Sequence, residues 1–401
     1  MIILILNSGS SSVKYQLWDT ENGGMKAKGL VSRIGIEGPM LEHYVGGKKY
    51  KFTPNEIIDH KKGIELALNA LVDSEYGVLE NIDSIDAVGH RVVHGGEAFA
   101  KSALIDDEVI KAIRECIPLA PLHNPPNLIG IEACKEILKN VPQVAIFDTA
   151  FHQTVEPYAY IYAIPYEMYE KYRIRRYGFH GTSHYYVANR AAKMLGHPIE
   201  KLKIITAHLG NGASIAAVDG GKSVDTSMGF TPLEGLVMGT RCGDIDPAVV
   251  LFIIKQTELS PQETDNLLNK KSGLRGISGV SSDFRDILEA ADSGNERAKL
   301  ARDVYVYRIR KYIGAYIAAM GGADAVVFTA GAGENSPILR KMVLEKLKFF
   351  GLEIDGEKNE AAVGVEADIS SESAKIKTLV IPTNEELVIA QETERIVGKI
   401  L

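Results

Sequence analysis

Cysteine is scarce in this chain, with three residues among 401, at positions 116, 134 and 242. They are far apart and form no C-x-x-C pair, which excludes a disulfide framework and leaves them as reduced, mostly packed thiols. Long apolar runs are also missing: no stretch approaches the length needed to span a bilayer. The apolar opening at residues 2–6 is too short for a signal-peptide core, lacks a basic leader and runs straight into a turn. Basic clusters are absent too. The formal charge is −7, and no Lys/Arg run interrupts it, which argues against a nucleic-acid scaffold. What is present is ordinary for a globular enzyme, 45% hydrophobic and 24% charged. A length of 401 residues favours two or three domains, and either half can bury its own core. A cytoplasmic, soluble protein without membrane or nucleic-acid partners is expected.

The most informative stretch is ILILNSGSSSVKYQLWD, near the start. Residues 2–6 read as a buried strand, and Val13, Tyr15 and Leu17 alternate as a second, half-buried one. Between them Ser8, Gly9, Ser10, Ser11 and Ser12 expose backbone N–H groups and hydroxyls, with Lys14 at the exit. Such a concavity suits a polyphosphate. It is not the G-x-x-x-x-G-K-[ST] loop, because the chain leaves as a strand, not a helix. The same residues also read as an ordinary Gly/Ser hairpin.

No low-complexity linker divides the chain, and its organisation comes from a repeated pattern. The hairpin has an echo at KIITAHLGNGASIAAVDGG, with strands at 204–207 and 214–218 around Gly210-Asn211-Gly212. IDAVGHRVVHGGE parallels ADAVVFTAGAGEN, each a hydrophobic strand ending in glycines. QVAIFDTAFH, ending its strand at Asp148, parallels IKTLVIPTNEE, read as ending at Glu385. Helical periodicity fits 63–71, 107–116, 127–139, 184–195 and the long run 295–320. The order hairpin, helix, strand, helix, strand thus occurs twice, which implies α/β layers in two duplicated halves with an active-site cleft between them.

Individual residues carry weaker signals. Arg91 and Arg241 sit in loops without bulky neighbours, where a guanidinium can bind a planar anion or simply form a surface ion pair. Asp148 ends an apolar strand, where open α/β sheets present ligands, although a strand-end Asp is more often a turn former. His180 and His184 have a spacing that invites zinc, but no H-E-x-x-H or third ligand accompanies them. In FTAGAGENSPILRKMV a strand, a Gly-rich loop and a helix follow one another, with Ser336 at the N-cap and Pro337 at the first helical position.

Taken in order, NSGSSSVK, GHRVVHGG, PLAPLHNPPN, FDTAFH, YGFHGTSH, AHLGNGASI, MGTRCGDIDP, FTAGAGEN and IPTNEE span essentially the whole chain. In these nine motifs it resembles the acetate kinase family, within the superfamily of acetate and sugar kinases, heat-shock chaperones and actin. The resemblance implies two ribonuclease-H-like (actin-like ATPase) domains. The first is residues 1–149 with the returning C-terminal helix 386–401; the second is 150–385, carrying the nucleotide and the main dimer contact. It implies ATP + acetate ⇌ ADP + acetyl phosphate with Mg²⁺, Mn²⁺ able to substitute, in a cytoplasmic homodimer.

By the same resemblance Arg91 holds the acetate carboxylate, Arg241 stabilises the transferring phosphoryl, and His180 donates a hydrogen bond to the transition state. Asp148 is the family's acid/base residue. Acetate arrives ionised, so orienting Arg91 or a metal-bound water is the more economical role. Val93, Leu122, Phe179 and Pro232 match the pocket for the acetate methyl, with core packing as their plain alternative. The nucleotide set is Lys14, His208, Leu209, Gly210, Asn211, Gly212, Asp283, Phe284, Arg285, Gly331, Ala332, Gly333, Glu334 and Asn335. The metal falls to Asn7 and Glu385, with Glu386 as rival; adjacent residues at a strand end diverge, so only one should face the cleft. A propionate kinase is the nearest rival activity. A non-catalytic nucleotide switch is the rival of another class, but a chaperone of that kind needs a peptide-binding module, and the chain ends soon after Glu385.

Overall fold

The computed structural model describes residues 1–22, 24–121 and 123–399. The chain folds as two compact units, Met1–Ala150 with Asn384–Leu401, and Phe151–Thr383.

In the first unit β1 (Ile2–Gly9) pairs antiparallel with β2 (Ser12–Asp19), Gly9 opposite Ser12, so the turn is only two residues long. The strands β3 (Gly24–Ser32), β4 (Met40–Val45) and β5 (Lys48–Phe52) extend the sheet antiparallel beyond β2. On the other side of β1 come β6 (Ala87–Val92), β7 (Ala103–Leu104) and β8 (Gln143–Phe147). There β6 and β8 run parallel to β1 and β7 closes the edge antiparallel. Alternation along β1 sends Leu4 and Leu6 to a core shared with the helix His60–Leu71. Ile3 and Ile5 face Ile389, Ala390 and Val397 of the C-terminal helix Glu385–Val397. Burial on both faces explains why this strand reads as an unbroken apolar run.

The second unit repeats the plan with β9 (Lys203–Leu209), β10 (Ala213–Asp219), β11 (Lys222–Thr226), β12 (Ala325–Thr329), β13 (Ala367–Asp368) and β14 (Lys377–Val380). The order among the described residues is β11-β10-β9-β12-β14-β13. It matches β3-β2-β1-β6-β8-β7 strand for strand, parallel and antiparallel pairings included. The duplicated mixed α/β halves expected from the sequence are therefore present. The helix Gly181–Leu195 covers one face through Val187, Ala188 and Ala191, and the long helix Glu296–Met320, N-capped by Asn295, lies against β9 and β10.

Three local readings need correction. Residues 331–335 are not a loop but a helical turn, Gly331–Asn335, from which the chain passes to the Ser336-capped helix Pro337–Leu344. Glu385 does not end a strand. The sheet stops at Val380, Pro382 cannot continue it, and the Asn384 side chain accepts from Leu387 N at 3.0 Å to start a helix. Glu385 and Glu386 are thus first-turn residues, where acidic groups suit the helix dipole. Successive residues of a helix diverge by about 100° and not by the half-turn of a strand. Accordingly both glutamates line one cavity. Among the described residues no helix is long and apolar enough to cross a membrane.

Candidate active site

In the first unit, β6 delivers Arg91 and the end of β8 delivers Asp148, because the two strands are parallel neighbours with Val92 opposite Phe147. Arg91 Nε donates to Asp148 Oδ1 at 3.1 Å and Nη2 to Oδ2 at 2.6 Å. This forked geometry is the strong, oriented form of the pair. Asp148 is buried while Arg91 keeps 24% side-chain exposure, so the guanidinium is held from behind and open in front. Asp148, then Glu385 and Glu386, raise the Arg91 pKa above its usual value.

Arg91 lines a cavity of about 390 Å³ with Asn7, Lys14, Glu385 and Glu386. Loss of solvent, helped by Asp148 and Glu386, pushes the Glu385 carboxyl up to about 7 against the pull of Arg91 and Lys14. The oxygen donors Asn7, Glu385 and Glu386 suit a hard cation such as Mg²⁺. Among the described residues no group of three or more His, Cys, Asp or Glu side chains is arranged to hold a metal. A Mg²⁺ held by one or two protein groups, waters and phosphate needs no such group. Val93, just past β6, is buried, and its N–H donates to Asn127 Oδ1 at 3.1 Å. Leu122 lies outside the described residues.

The second unit gathers a different set. His180 adopts a left-handed backbone (φ 56°) at the start of the helix Gly181–Leu195. Its Nδ1 shares a hydrogen bond with Ser214 Oγ at 2.9 Å, and its ring stacks on His208 with centroids 4.2 Å apart. Ser214 also meets His184 Nε2 at 2.8 Å, and His184 Nδ1 meets Thr206. Burial, then the neighbours His152 and His208, drive the His184 pKa well below 6.5, and its two ring nitrogens are engaged by Thr206 and Ser214, so it is a neutral support for Ser214.

Gly212 is the informative glycine. A Cβ there would come within 3.3 Å of Arg241 Nη1 and 3.5 Å of His180 Nε2. Its missing side chain keeps the space beside both donors clear. Arg241 is half-buried with no carboxylate partner among the described residues, where the one hydrogen-bond contact of its side chain is a 3.9 Å approach to Met238 Sδ. Burial pulls its pKa below the usual arginine value. An unpaired, partly desolvated guanidinium costs free energy until an anion arrives.

A second cavity in this unit, about 490 Å³, is lined by Leu209, Gly210 and Asn211, by Asp283, Phe284 and Arg285, and by Gly331, Ala332 and Asn335. That volume falls in the range of small-molecule sites. Asp283 caps the helix Phe284–Asp292 and pairs with Arg285, whose side chain is exposed. Gly333 is buried and Glu334 half-buried, and neither lines this cavity. The Gly333 carbonyl accepts from buried Arg340 at 2.9 Å, and burial raises the Glu334 pKa. Phe179 is buried and Pro232 half-buried in this unit, whereas Val93 and Lys14 belong to the first.

The residue that sequence reasoning missed is Ser214, which joins His180 to His184. Its one signal was a hydroxyl on the buried side of an apolar strand.

Comparison with known proteins identifies the family. The model of the acetokinase family matches residues 2–391. A protein of Clostridium novyi (strain NT) named acetate kinase is 60% identical over 399 residues, covering 100% of this chain and 99% of its own. The crystal structure of Porphyromonas gingivalis acetate kinase superposes with TM-score 0.95 at 49% identity, covering 99% of each chain. A propionate kinase from Francisella tularensis subsp. tularensis SCHU S4 superposes with TM-score 0.92 at 44% identity, covering 98% of this chain and 99% of that one.

Proposed function

The chain belongs to the acetokinase family, and from that premise we propose that it transfers a phosphoryl group reversibly between ATP and acetate, giving ADP and acetyl phosphate. The observation that carries the reading is Arg241, an unpaired guanidinium beside His180 across the bare Cα of Gly212. Phosphoryl transfer asks a protein mainly for positioning and for charge stabilisation at the equatorial oxygens of the moving group. Arg241 and His180 are donors of that kind.

Arg91 takes the acetate carboxylate on its open side while Asp148 fixes its orientation from behind. An acetate oxygen attacks the γ-phosphorus, the new P–O bond forms, and the bond to the β–γ bridging oxygen breaks as ADP leaves. Acetate carries no proton to remove at neutral pH, so Asp148 acts as a positioning residue and not as a base. The 490 Å³ cavity takes the nucleotide, with Asn211 and His208 toward the phosphates and Lys14 as a further cation. Asn7 and Glu385, with Glu386 beside them, would hold Mg²⁺ or Mn²⁺. When bound, the ion supplies positive charge to the phosphate oxygens. Val93, Phe179 and Pro232, with Leu122, limit the acyl chain.

The enzyme is a cytoplasmic homodimer in this reading. The three free thiols suit a reducing compartment. The apolar helix Pro247–Thr257 has no buried residue, and Leu251 and Phe252 are 69% and 63% exposed, a face that a second copy would cover. The deciding assay supplies ATP, Mg²⁺, acetate and hydroxylamine and measures acetohydroxamate together with ADP. Acetate-dependent formation of both in equal amounts is expected. ADP release that acetate does not stimulate would point instead to a nucleotide switch.

A further inference from the structure

The segment carrying Arg241 is a loop tied shut at its base. Gly235 N–H donates to Asp244 Oδ1 at 2.8 Å, and Asp244 N–H returns to the Gly235 carbonyl at 2.9 Å. The second carboxylate oxygen, Oδ2, accepts from Tyr312 O–H at 2.9 Å and faces Arg308 Nη1 at 3.5 Å, both from the helix Glu296–Met320. Between these ends the loop backbone is fixed on two further sides. Gly239 N–H donates to the Asn211 carbonyl, and Leu274 and Arg275 N–H donate to the Met238 and Gly239 carbonyls. At Gly273 (φ +65°) a Cβ would press within 3.0 Å of Arg241 N and 2.8 Å of its carbonyl oxygen. Asp244 therefore uses both oxygens to join loop base and long helix, and it is the side chain on which the loop's tie to Tyr312 and Arg308 converges.

We propose that Asp244 is a positioning residue for phosphoryl transfer, holding the loop so that the Arg241 guanidinium faces the cleared space at Gly212. The proposal rests on the reading of Arg241 as the donor to the moving phosphoryl. Asp244 touches neither substrate, so its effect passes entirely through Arg241. Misplacement of a donor by about 1 Å costs up to about a hundredfold in rate, and a loss of tenfold to a hundredfold in kcat is expected for Asp244→Ala, with both KM values within about twofold of wild type. Asp244→Asn keeps an oxygen for Gly235 N–H and should recover most of the rate.

The deciding measurement is a double-mutant cycle on kcat with Arg241→Ala. If Asp244 acts through Arg241, Asp244→Ala lowers kcat in wild type and has no further effect once Arg241 is gone. A merely structural aspartate would lower the melting temperature in both backgrounds without that dependence. Tyr312→Phe, which deletes only the hydroxyl donated to Oδ2, repeats the cycle with a smaller factor should the alanine variant not fold. An impaired Arg241→Ala enzyme that Asp244→Ala impairs again by the same factor overturns the clasp alone. An Arg241→Ala enzyme with full kcat overturns the role of Arg241, and the clasp with it.

Discussion

Arg91 stands on β6 of the first unit and Arg241 on a loop of the second, and their electrostatic circumstances are opposite. Arg91 has a forked partner in buried Asp148 and two more carboxylates within electrostatic reach. Arg241 is partly buried with no carboxylate partner among the described residues. The first arrangement is neutralised in the resting protein and presents a fixed fork to a small monoanion. The second withholds neutralisation, so a charge that grows during reaction finds an uncommitted donor. In the proposed reading, the counter-charge beside Arg91 and its absence beside Arg241 separate a binding role from a transition-state role.

The largest effect is expected at Arg241. Arg241→Ala should lower kcat and kcat/KM together by about 10²–10³, as for other lost charge-stabilising donors. Its melting temperature should match or exceed that of wild type, because no buried counter-charge is stranded. Steady-state kinetics with a thermal melt checks both halves, and a large drop in melting temperature would erase the contrast between the arginines.

Arg91→Ala should behave differently in both respects. Losing charge-assisted bonds of this kind costs about 1.5–3 kcal/mol, which raises the acetate KM roughly tenfold to a hundredfold while the ATP KM hardly moves. It also strands the Asp148 carboxylate, so the protein should melt lower, and the second change Asp148→Asn should restore the melting temperature without restoring the acetate KM. An unchanged acetate KM would remove Arg91 as the carboxylate anchor.

How far this contrast was readable in advance depends on the range of the interactions. The duplicated strand order was legible because each strand is a local apolar run bounded by glycines or by Asp148, and register follows from burial. Arg91, Asp148 and Arg241 were legible as residue types at strand ends or in open loops. The Arg91–Asp148 pairing was reached only as one option through the family resemblance, since the fork joins residues brought together by parallel strand pairing. Glu385 was misplaced although Pro382 and Asn384 carried the signal: a residue without a ladder N–H, then a cap two positions later. Ser214, with only a hydroxyl in an apolar strand as its signal, and Asp244 went unread for a plainer reason. Each acts by closing a contact with residues distant in sequence, and neither sits in a periodic pattern that marks it.

Acid should separate the units next. Burial pushes His90 in the first unit and His152 in the second down to about 4. In the second unit His184 is also held well below 6.5 by burial and packs edge-on to His152, centroids 5.7 Å apart. The folded pKa lies below the unfolded value of about 6.5, so the unfolded chain takes up protons first. Stability is complete above pH 6.5 and declines as pH falls toward 4, by roughly 1.4 kcal/mol at pH 5.5 for each fully buried group. Hydrogen exchange from pH 7.5 to 5.5 should show β9 and β10 losing protection faster than β1 and β6. Equal losses would mean that the paired histidines add nothing beyond His90.

The smallest effect concerns acyl length, and it asks which unit sets the limit. Val93 belongs to the first unit and Pro232 to the second, and each is proposed as a limit on the acyl chain. One buried methylene is worth only about 0.8 kcal/mol, and a pocket that lacks room discriminates by about 1–3 kcal/mol. Acetate should therefore lead, with propionate at about a tenth of its kcat/KM. Val93 is 6% exposed, so trimming it to alanine opens space that solvent does not already fill. Val93→Ala should shift the propionate-to-acetate ratio of kcat/KM upward by no more than about tenfold, chiefly through KM, since the reacting carboxylate stays on Arg91. Pro232→Ala, measured in parallel, locates the limit. A shift with Val93→Ala alone places it beside the carboxylate anchor, whereas a shift with Pro232→Ala alone moves it to the unit that carries the nucleotide cavity. Wild-type preference for propionate would set aside the acetate assignment while leaving the arginine contrast intact, because a longer acyl chain presents the same carboxylate to the same fork.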